Sequence, residues 1–305
     1  MNPTSRRIAV AIHASRTSAL EAACRFIDEL PCEIESLVAP ATFTDISNRL
    51  PTARLAVLTE QSLAEAEVLV VFGGDGTILR AAASALKADV PVLGVNLGHV
   101  GFLAELEMSQ IPELVSHVVD ANFVLEQRLT IEVDLYLPGD QVPSWSSVAI
   151  NEVALEKASR AMMIDALVAI DNLPVSHWGC DGILVSTPTG STAYAFSAGG
   201  PVMWPQLEAF QIVPLSAHAL FARPMVLSPD AQIRLDLLGE VPGVVCCDGS
   251  RTADVSTGSR LIIRRHPQDL MVARLREQPF TSRLVKKFLL PIEGWRGRDA
   301  SSTPC

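Results

Sequence analysis

Aromatic side chains are scarce in this chain, making up 5% of 305 residues with two tyrosines and four tryptophans. Hydrophobic residues still reach 49%, so the core must be built from Val, Leu, Ile and Ala, the composition of buried parallel sheets. That content excludes disorder as the dominant state. Long apolar runs are missing too. The longest, such as Val68–Phe72, fall far short of the roughly 20 residues a bilayer-spanning helix needs, so no membrane partner is expected. Positive charge is in deficit, with 24 Lys+Arg against 34 Asp+Glu and a net charge of -10, which argues against nucleic acid as a partner. The six cysteines (Cys24, Cys32, Cys180, Cys246, Cys247, Cys305) form no Cys-x-x-Cys pair, and adjacent Cys246 and Cys247 cannot readily bridge. Reduced thiols and a cytoplasmic location are the expectation. Arg6-Arg7 stands before an apolar stretch, but His13 and Arg16 interrupt it and no small-residue cleavage pattern follows. It reads as a first strand rather than a leader.

Several motifs are absent by spacing alone. No glycine is followed by lysine, which removes the phosphate-gripping Lys of a Walker A loop. The run from Gly74 to Leu79 begins like a dinucleotide fingerprint but carries Leu79 where the third glycine belongs, which disfavours a dehydrogenase site. Residues 195–199 lack the full nucleophile elbow of a serine hydrolase, and the six histidines show no zinc-ligand spacing.

What is present up to about residue 125 is an alternation of short apolar runs and helical-period stretches, the pattern of β-α units on a parallel sheet. Residues 8–12, 68–72 and 90–95 read as strands, and 18–30 and 77–86 as helices. Near Leu129 the period changes to two: Ile131, Val133, Leu135 and Leu137 alternate with Thr130, Glu132, Asp134 and Tyr136. A half-buried antiparallel strand follows from that alternation. Further strands are expected at 148–155, 163–170, 183–186, 233–237 and 261–263, with a turn at Asp171-Asn172 and a last short helix at 282–290. The division is expected to be an α/β domain over 1–128, a β-rich domain over 129–275 and a C-terminal segment over 276–305 with a mobile tail.

The most informative segment is Phe72-Gly73-Gly74-Asp75-Gly76-Thr77-Ile78-Leu79-Arg80. An apolar strand runs into three glycines around one carboxylate and then directly into a helix. Glycines let a ligand approach the backbone, amides at the helix start favour phosphate, and Thr77 can cap the helix. Binding alone explains an acid beside a phosphate site poorly. A carboxylate that takes a proton from an attacking hydroxyl, or that holds Mg²⁺, explains it better; a plain turn with an exposed Asp is the alternative. The second segment runs from Asp181 to Ser197 and crowds Ser186, Thr187, Thr189, Ser191 and Thr192 around Pro188 and Gly190. Small hydroxyls and bare amides can bond ribose, phosphate or base edges, and the same residues also suit an ordinary turn.

Together these segments resemble the NAD kinase family. The resemblance rests on Gly73-Gly74-Asp75-Gly76-Thr77, Gly98-His99-Val100-Gly101-Phe102-Leu103, Asn151-Glu152, the block from Asp181 to Gly200, and Asp248-Gly249, and it covers roughly residues 68 to 290. It implies an α/β N-terminal domain with a Rossmann-like parallel sheet and a β-rich C-terminal domain, nucleotide bound between them, and a chain end returning to the first domain. It also implies transfer of a phosphoryl group from ATP, or inorganic polyphosphate, to the adenosine-ribose 2′-hydroxyl of NAD. Asp75 would be the general base; Gly73, Gly74, Gly76 and Thr77 the phosphate-side turn; and Arg80 a positive charge on the helix's first turn. Phe102, Asn151 and Glu152 would contact the dinucleotide, Gly179 and Asp181 lie at the nicotinamide end, and Thr189, Thr192, Ala193, Tyr194 and Ser197 serve the adenosine part. Mg²⁺ would arrive with the donor phosphates, no residue is assigned as a metal ligand, and a homo-oligomer (dimer or tetramer) is implied.

Two departures stand out. Many bacterial members have an arginine two residues before Asp181, where this chain has Gly179, and the family pattern links a small residue there to weaker rejection of NADH. A glutamine is common after Asp248-Gly249, where this chain has Ser250. Asn151-Glu152 also fits a solvated polar pair, Asp181-Gly182 a turn, and His218 a structural histidine. The rival functions are a lipid or sphingoid-base kinase with a similar glycine-aspartate turn, and a catalytically silent NAD-binding regulator.

Overall fold

The structure is a computed structural model that describes residues 6–13, 15–96, 101–104, 106, 108–277 and 279–291. The first elements in chain order are β1 (Arg7–Ile12), α1 (Thr17–Asp28), β2 (Glu35–Val38), α2 (Pro40–Arg49), β3 (Leu55–Val57), α3 (Glu60–Leu63), β4 (Val68–Phe72), α4 (Asp75–Ala88), β5 (Val92–Val95), α5 (Ile111–Val119) and β6 (Val124–Arg128). The antiparallel region follows with β7 (Ile131–Tyr136), β8 (Trp145–Ala149), β9 (Glu152–Lys157), β10 (Ile164–Ile170), β11 (Leu173–Cys180), β12 (Gly182–Ser186), α6 (Tyr194–Ser197), β13 (Phe210–Leu215), β14 (Met225–Leu227), β15 (Ile233–Leu238), β16 (Gly243–Cys247), β17 (Arg251–Val255) and β18 (Arg260–Arg265). Last come β19 (Leu270–Arg274) and α7 (Phe280–Phe288). The chain forms two compact units: Met1–Ile78 with Val92–Leu125 and Ala273–Cys305, and Leu79–Pro91 with Glu126–Val272.

A seven-stranded sheet runs in the order β3-β2-β1-β4-β5-β19-β6, and the pairs among β1 to β5 are parallel. The chain winds outward from β1 to β3 and then returns to the other side of β1 as β4. The crevice beyond the carboxyl ends of β1 and β4 is therefore the topological switch point, where open α/β sheets bind ligands. β4 is buried at every position, as a strand covered on both faces must be. Its last residue, Phe72, packs on Phe26 of α1 with ring centroids 5.6 Å apart. In α1, Ala19, Ala22, Ala23, Phe26 and Ile27 are buried at helical spacing, which turns one stripe to the sheet.

The antiparallel region forms two six-stranded sheets, β11-β10-β15-β18-β7-β8 and β14-β13-β12-β9-β16-β17. They share one core: Ile164, Trp178 and Leu235 come from the first sheet, and Val153, Ile183 and Phe210 from the second. In β7 the expected alternation holds for Ile131, Val133 and Leu135. Asp134, on the other face, is buried as well, because Ser146 Oγ donates to it at 2.6 Å and Arg264 pairs with it at 2.8 Å. The turn between β10 and β11 has Asp171 at φ 51° and Asn172 at φ 66°, the left-handed pair a tight hairpin demands.

Some expectations need correction. Residues 148–155 are two strands in different sheets, parted at Ile150 and Asn151. Apolar patterning alone cannot show that break, whose cause is a distant carboxylate described below. Thr77 does not cap α4: the helix begins at Asp75, and the Thr77 N–H donates to Gly74 O at 2.8 Å inside its first turn. Arg80 consequently falls on the second turn. The edge strand β11 escaped notice because Leu173, Pro174 and Val175 are exposed and break the period-two pattern. Residues 98–100 and the tail from Arg296 lie outside the described residues.

Candidate functional site

In the first unit the polypeptide leaves β4 at Phe72 and enters α4 at Asp75 through only Gly73 and Gly74. The Gly73 N–H donates to Val95 O at 2.9 Å, which ties the turn to β5. A Cβ on Gly73 would stand 2.8 Å from the Thr77 side chain, whereas one on Gly74 or Gly76 would meet no protein atom within 4 Å. Packing therefore explains the first glycine. The other two leave the backbone bare toward open space, the condition for close approach of a ligand.

Asp75 is half-buried and its carboxylate is held. The backbone N–H groups of Phe102 and Leu103 donate to it at 3.2 and 3.3 Å, and a Cβ on Gly101 would collide with its Oδ1. Phe102 is itself braced by Phe280 and Phe288 of α7, at centroid distances of 5.7 and 5.8 Å. Buried Arg274 donates to the Phe102 and Leu103 carbonyl oxygens at 3.2 and 3.4 Å. The C-terminal helix thus supports the loop that orients the acid. Arg80 is exposed farther along α4.

In the second unit three separate sequence segments converge. Asp248, at φ 48°, has no exposed side-chain surface. Its carboxylate accepts from the N–H groups of Ile150 at 3.0 Å, Asn151 at 2.7 Å and Glu152 at 3.3 Å, and pairs with Arg251 at 2.7 Å. These bonds take the amides that would otherwise have continued a ladder, and so they end β8 and start β9. From the other side, Thr187 Oγ1 donates to Ile150 O at 2.5 Å and the Thr187 N–H donates to Asn151 O at 2.9 Å. Gly190 lies so close to Asn151 that a Cβ there would overlap its carbonyl.

Asn151 and Glu152 are buried, and Asn151 Oδ1 and Glu152 Oε2 have no hydrogen-bond partner among the described residues. Orphaned polar atoms of this kind cost free energy unless a ligand or water meets them. Burial pushes the Glu152 carboxyl up to about 8, the Asp248 charge adds to the rise, and a hydrogen bond from the Tyr194 backbone opposes it. The solvated-pair reading of these two residues is thereby overturned.

The Asp181 block runs from the end of β11 through β12 and a 3-10 turn, Thr189–Thr192, into α6. Thr189 is buried, Thr192 and Ala193 are half-buried, and Tyr194 and Ser197 are exposed. Glu156, Lys157, Asp181, Tyr194, Ser197 and Ser216 are among the residues lining a groove of 680 Å³. Tyr194 Oη donates to Glu156 at 2.8 Å, and Lys157 pairs with Asp181 at 2.5 Å. Gly179 backs onto this segment, where its carbonyl accepts from the His218 N–H at 2.8 Å; a Cβ there would meet only Met163, at 3.8 Å. Among the sequence-derived candidates of this unit, Asp181, Tyr194 and Ser197 line this groove, whereas Asn151, Glu152 and Thr189 are buried. The groove positions of Glu156 and Lys157 and the holding role of Asp248 are not legible in the sequence, because strand register and long-range bonds place them.

A carboxylate fixed at the switch point beyond a glycine turn, in a chain that also carries the hydroxyl-rich turn, defines a kinase of the glycine-aspartate class. Residues 10–123 match the ATP-NAD kinase N-terminal domain and residues 150–275 the ATP-NAD kinase C-terminal domain. The chain is 54% identical to the NAD kinase of Cutibacterium acnes over 97% of its own length and 93% of that protein. It is 45% identical to the NAD kinase of Mycolicibacterium paratuberculosis over 97% and 100% of the two chains. Among solved structures, yeast NADH kinase complexed with NADH superposes with a TM-score of 0.83 at 22% identity, covering 99% of this chain and 91% of that one, a likeness of fold. An Archaeoglobus fulgidus NAD kinase in complex with ATP gives 0.70 at 27% identity, covering 93% and 99%. The chain belongs to the NAD kinase family, kinases that phosphorylate NAD to NADP. No helix among the described residues is long and apolar enough to cross a membrane.

Proposed function

We propose that this chain transfers the terminal phosphoryl group of ATP to the 2′-hydroxyl of the adenosine ribose of NAD, with Asp75 as the general base. The observation that carries the assignment is the held carboxylate at the switch point, oriented by the Phe102 and Leu103 amides. In this step the 2′-oxygen bonds to the γ-phosphorus as the bond to the bridging oxygen breaks. ADP leaves with that electron pair and the hydroxyl proton passes to Asp75. Such chemistry asks the protein chiefly for alignment and charge placement.

Gly73, Gly74, Gly76 and Thr77 form the phosphate-side turn, with the first amides of α4 directed at negative charge, and Arg80 adds a cation farther along the helix. Phe102 supports the base. Asn151 and Glu152 present orphaned polar atoms to the dinucleotide, Gly179 and Asp181 serve its nicotinamide end, and Thr189, Thr192, Ala193, Tyr194 and Ser197 its adenosine end. Mg²⁺ belongs to this reading as the shield of the donor's phosphates. We further assign polyphosphate as a second donor, a dimer or tetramer as the assembly, the cytoplasm as the location, and 1–128, 129–275 and 276–305 as the functional divisions.

The test is NADP formation from NAD and Mg²⁺, with ATP and polyphosphate in separate reactions and an NADP-specific dehydrogenase as detector. Product with ATP supports the reaction, and product with polyphosphate supports the second donor. Folded protein that binds NAD and forms no NADP with either donor overturns the proposal.

A further inference from the structure

We propose that Lys157, the last residue of β9, is a positioning residue for the dinucleotide: it holds the Asp181 carboxylate on the groove wall in the orientation that the nicotinamide end of NAD meets. The proposal deepens the reading above and rests on it. The register of β9 against β12 pairs Gly182 with Glu156, and one step further along this antiparallel ladder Asp181 stands across from Lys157. The backbone repeats the match, since the Lys157 N–H donates to Asp181 O at 3.0 Å.

The ammonium is fixed at two points. Nζ lies 2.5 Å from Asp181 Oδ1 and donates to Arg160 O at 3.2 Å, so a long, flexible side chain is confined to one place. Asp181 is the less buried partner, at 40% side-chain exposure against 24% for Lys157. Without a cation beside it, water competes for this carboxylate and its side chain is free to turn. Lys157 is the largest cause holding the Asp181 carboxyl below its ordinary range, and the Ser216 side chain adds to the effect. The carboxylate offered to a ligand therefore stays ionised and pinned. Glu156, the preceding residue, does the same for the other wall by accepting from Tyr194 Oη at 2.8 Å. The end of a single strand thus braces two side chains of the Asp181 block, and neither brace belongs to the block's own sequence.

The test measures steady-state kinetics of Lys157→Met, Lys157→Arg, Asp181→Asn and the double variant Lys157→Met with Asp181→Asn, all in the full chain. Met keeps the apolar stem and removes only the charge. Lys157→Met is expected to raise KM for NAD about fivefold, the scale of coupling between neighbouring charged groups, with kcat and the KM for ATP nearly unchanged. Arg restores most of the loss. In the double variant the Met substitution adds nothing to Asp181→Asn, because its effect runs through that carboxylate. An unchanged KM for NAD in Lys157→Met overturns the proposal, as does a parallel fall in kcat and in affinity for both substrates, which marks general destabilisation. Multiplicative losses in the double variant also overturn it. If Asp181→Asn itself leaves KM for NAD untouched, the assignment of Asp181 fails and Lys157 goes with it. A wild-type chain that forms no NADP refutes the underlying reaction before any variant is compared.

Discussion

Replacing Asp248 tests whether one buried carboxylate holds residues 150–152 in place. Its side chain is fully enclosed, accepts three consecutive backbone N–H groups and pairs with Arg251. Asp248→Ala strands those three donors in a site that water does not reach. Arg251 keeps its bonds to Val148 O and Ser147 Oγ and is 28% exposed, so its share of the loss is small. Breaking a buried charged network by removing one partner costs about 3–5 kcal/mol, and each donor left bare accounts for ~1–3 kcal/mol of such a loss. Position 248 also sits at φ 48°, which Asp and Asn tolerate and Ala does not, for about 1 kcal/mol more. A loss of about 4 kcal/mol is therefore expected for Ala. Asn, which keeps a carbonyl acceptor and the left-handed backbone, should lose about half as much. The assay is urea unfolding followed by tryptophan fluorescence, Trp178 being buried in the same core, together with NAD affinity, which should fall as Asn151 and Glu152 lose their support. A loss below about 1 kcal/mol for Ala, or Asn as damaging as Ala, would refute the reasoning.

Other consequences are as direct. Because the Glu152 carboxyl is raised to about 8, the folded chain keeps a proton that the unfolded chain releases near 4.5. This group therefore erodes stability as pH rises between those values, by at most ~1.4 kcal/mol per pH unit. Glu152→Gln should gain on wild type in urea unfolding between about pH 5 and about pH 9, and a constant difference between the two would count against the buried acid. Asp75→Asn should bind NAD normally yet lose at least about 10²-fold in kcat, the lower range for a general base; near-wild-type turnover removes Asp75 from that role. Gly73→Ala should lower stability by about 1–3 kcal/mol through overlap with Thr77. Gly74→Ala, with open space around its Cβ, should cost under about 1 kcal/mol and lower affinity for nucleotide instead. Identical melting behaviour of the two variants would show that the packing difference is immaterial.

Much of this protein is written locally. Residues 68–72 form the expected strand to the residue because five consecutive apolar side chains between Glu67 and the Gly73-Gly74 turn suit a strand buried on both faces. The period change near Leu129 marks the passage from parallel to antiparallel structure, since strands with one solvated face alternate. The Gly-Gly-Asp-Gly turn was legible because a glycine turn, an acid and a helix start are neighbours in sequence. Where the determinants are distant, local pattern fails. The break at Ile150 and Asn151 comes from Asp248, 97 residues beyond Asn151. The brace on Asp75 comes through Phe102 from α7, and Lys157 meets Asp181 only through the register of β9 and β12. The sequence by itself determined several of the strands and helices, the two-part character of the chain and the residue types gathered at the glycine turn, because these depend on periodicity and on adjacent residues. Only the tertiary structure decided which polar groups are paired, orphaned or held in place, because burial and strand register bring together side chains that no spacing in the sequence relates.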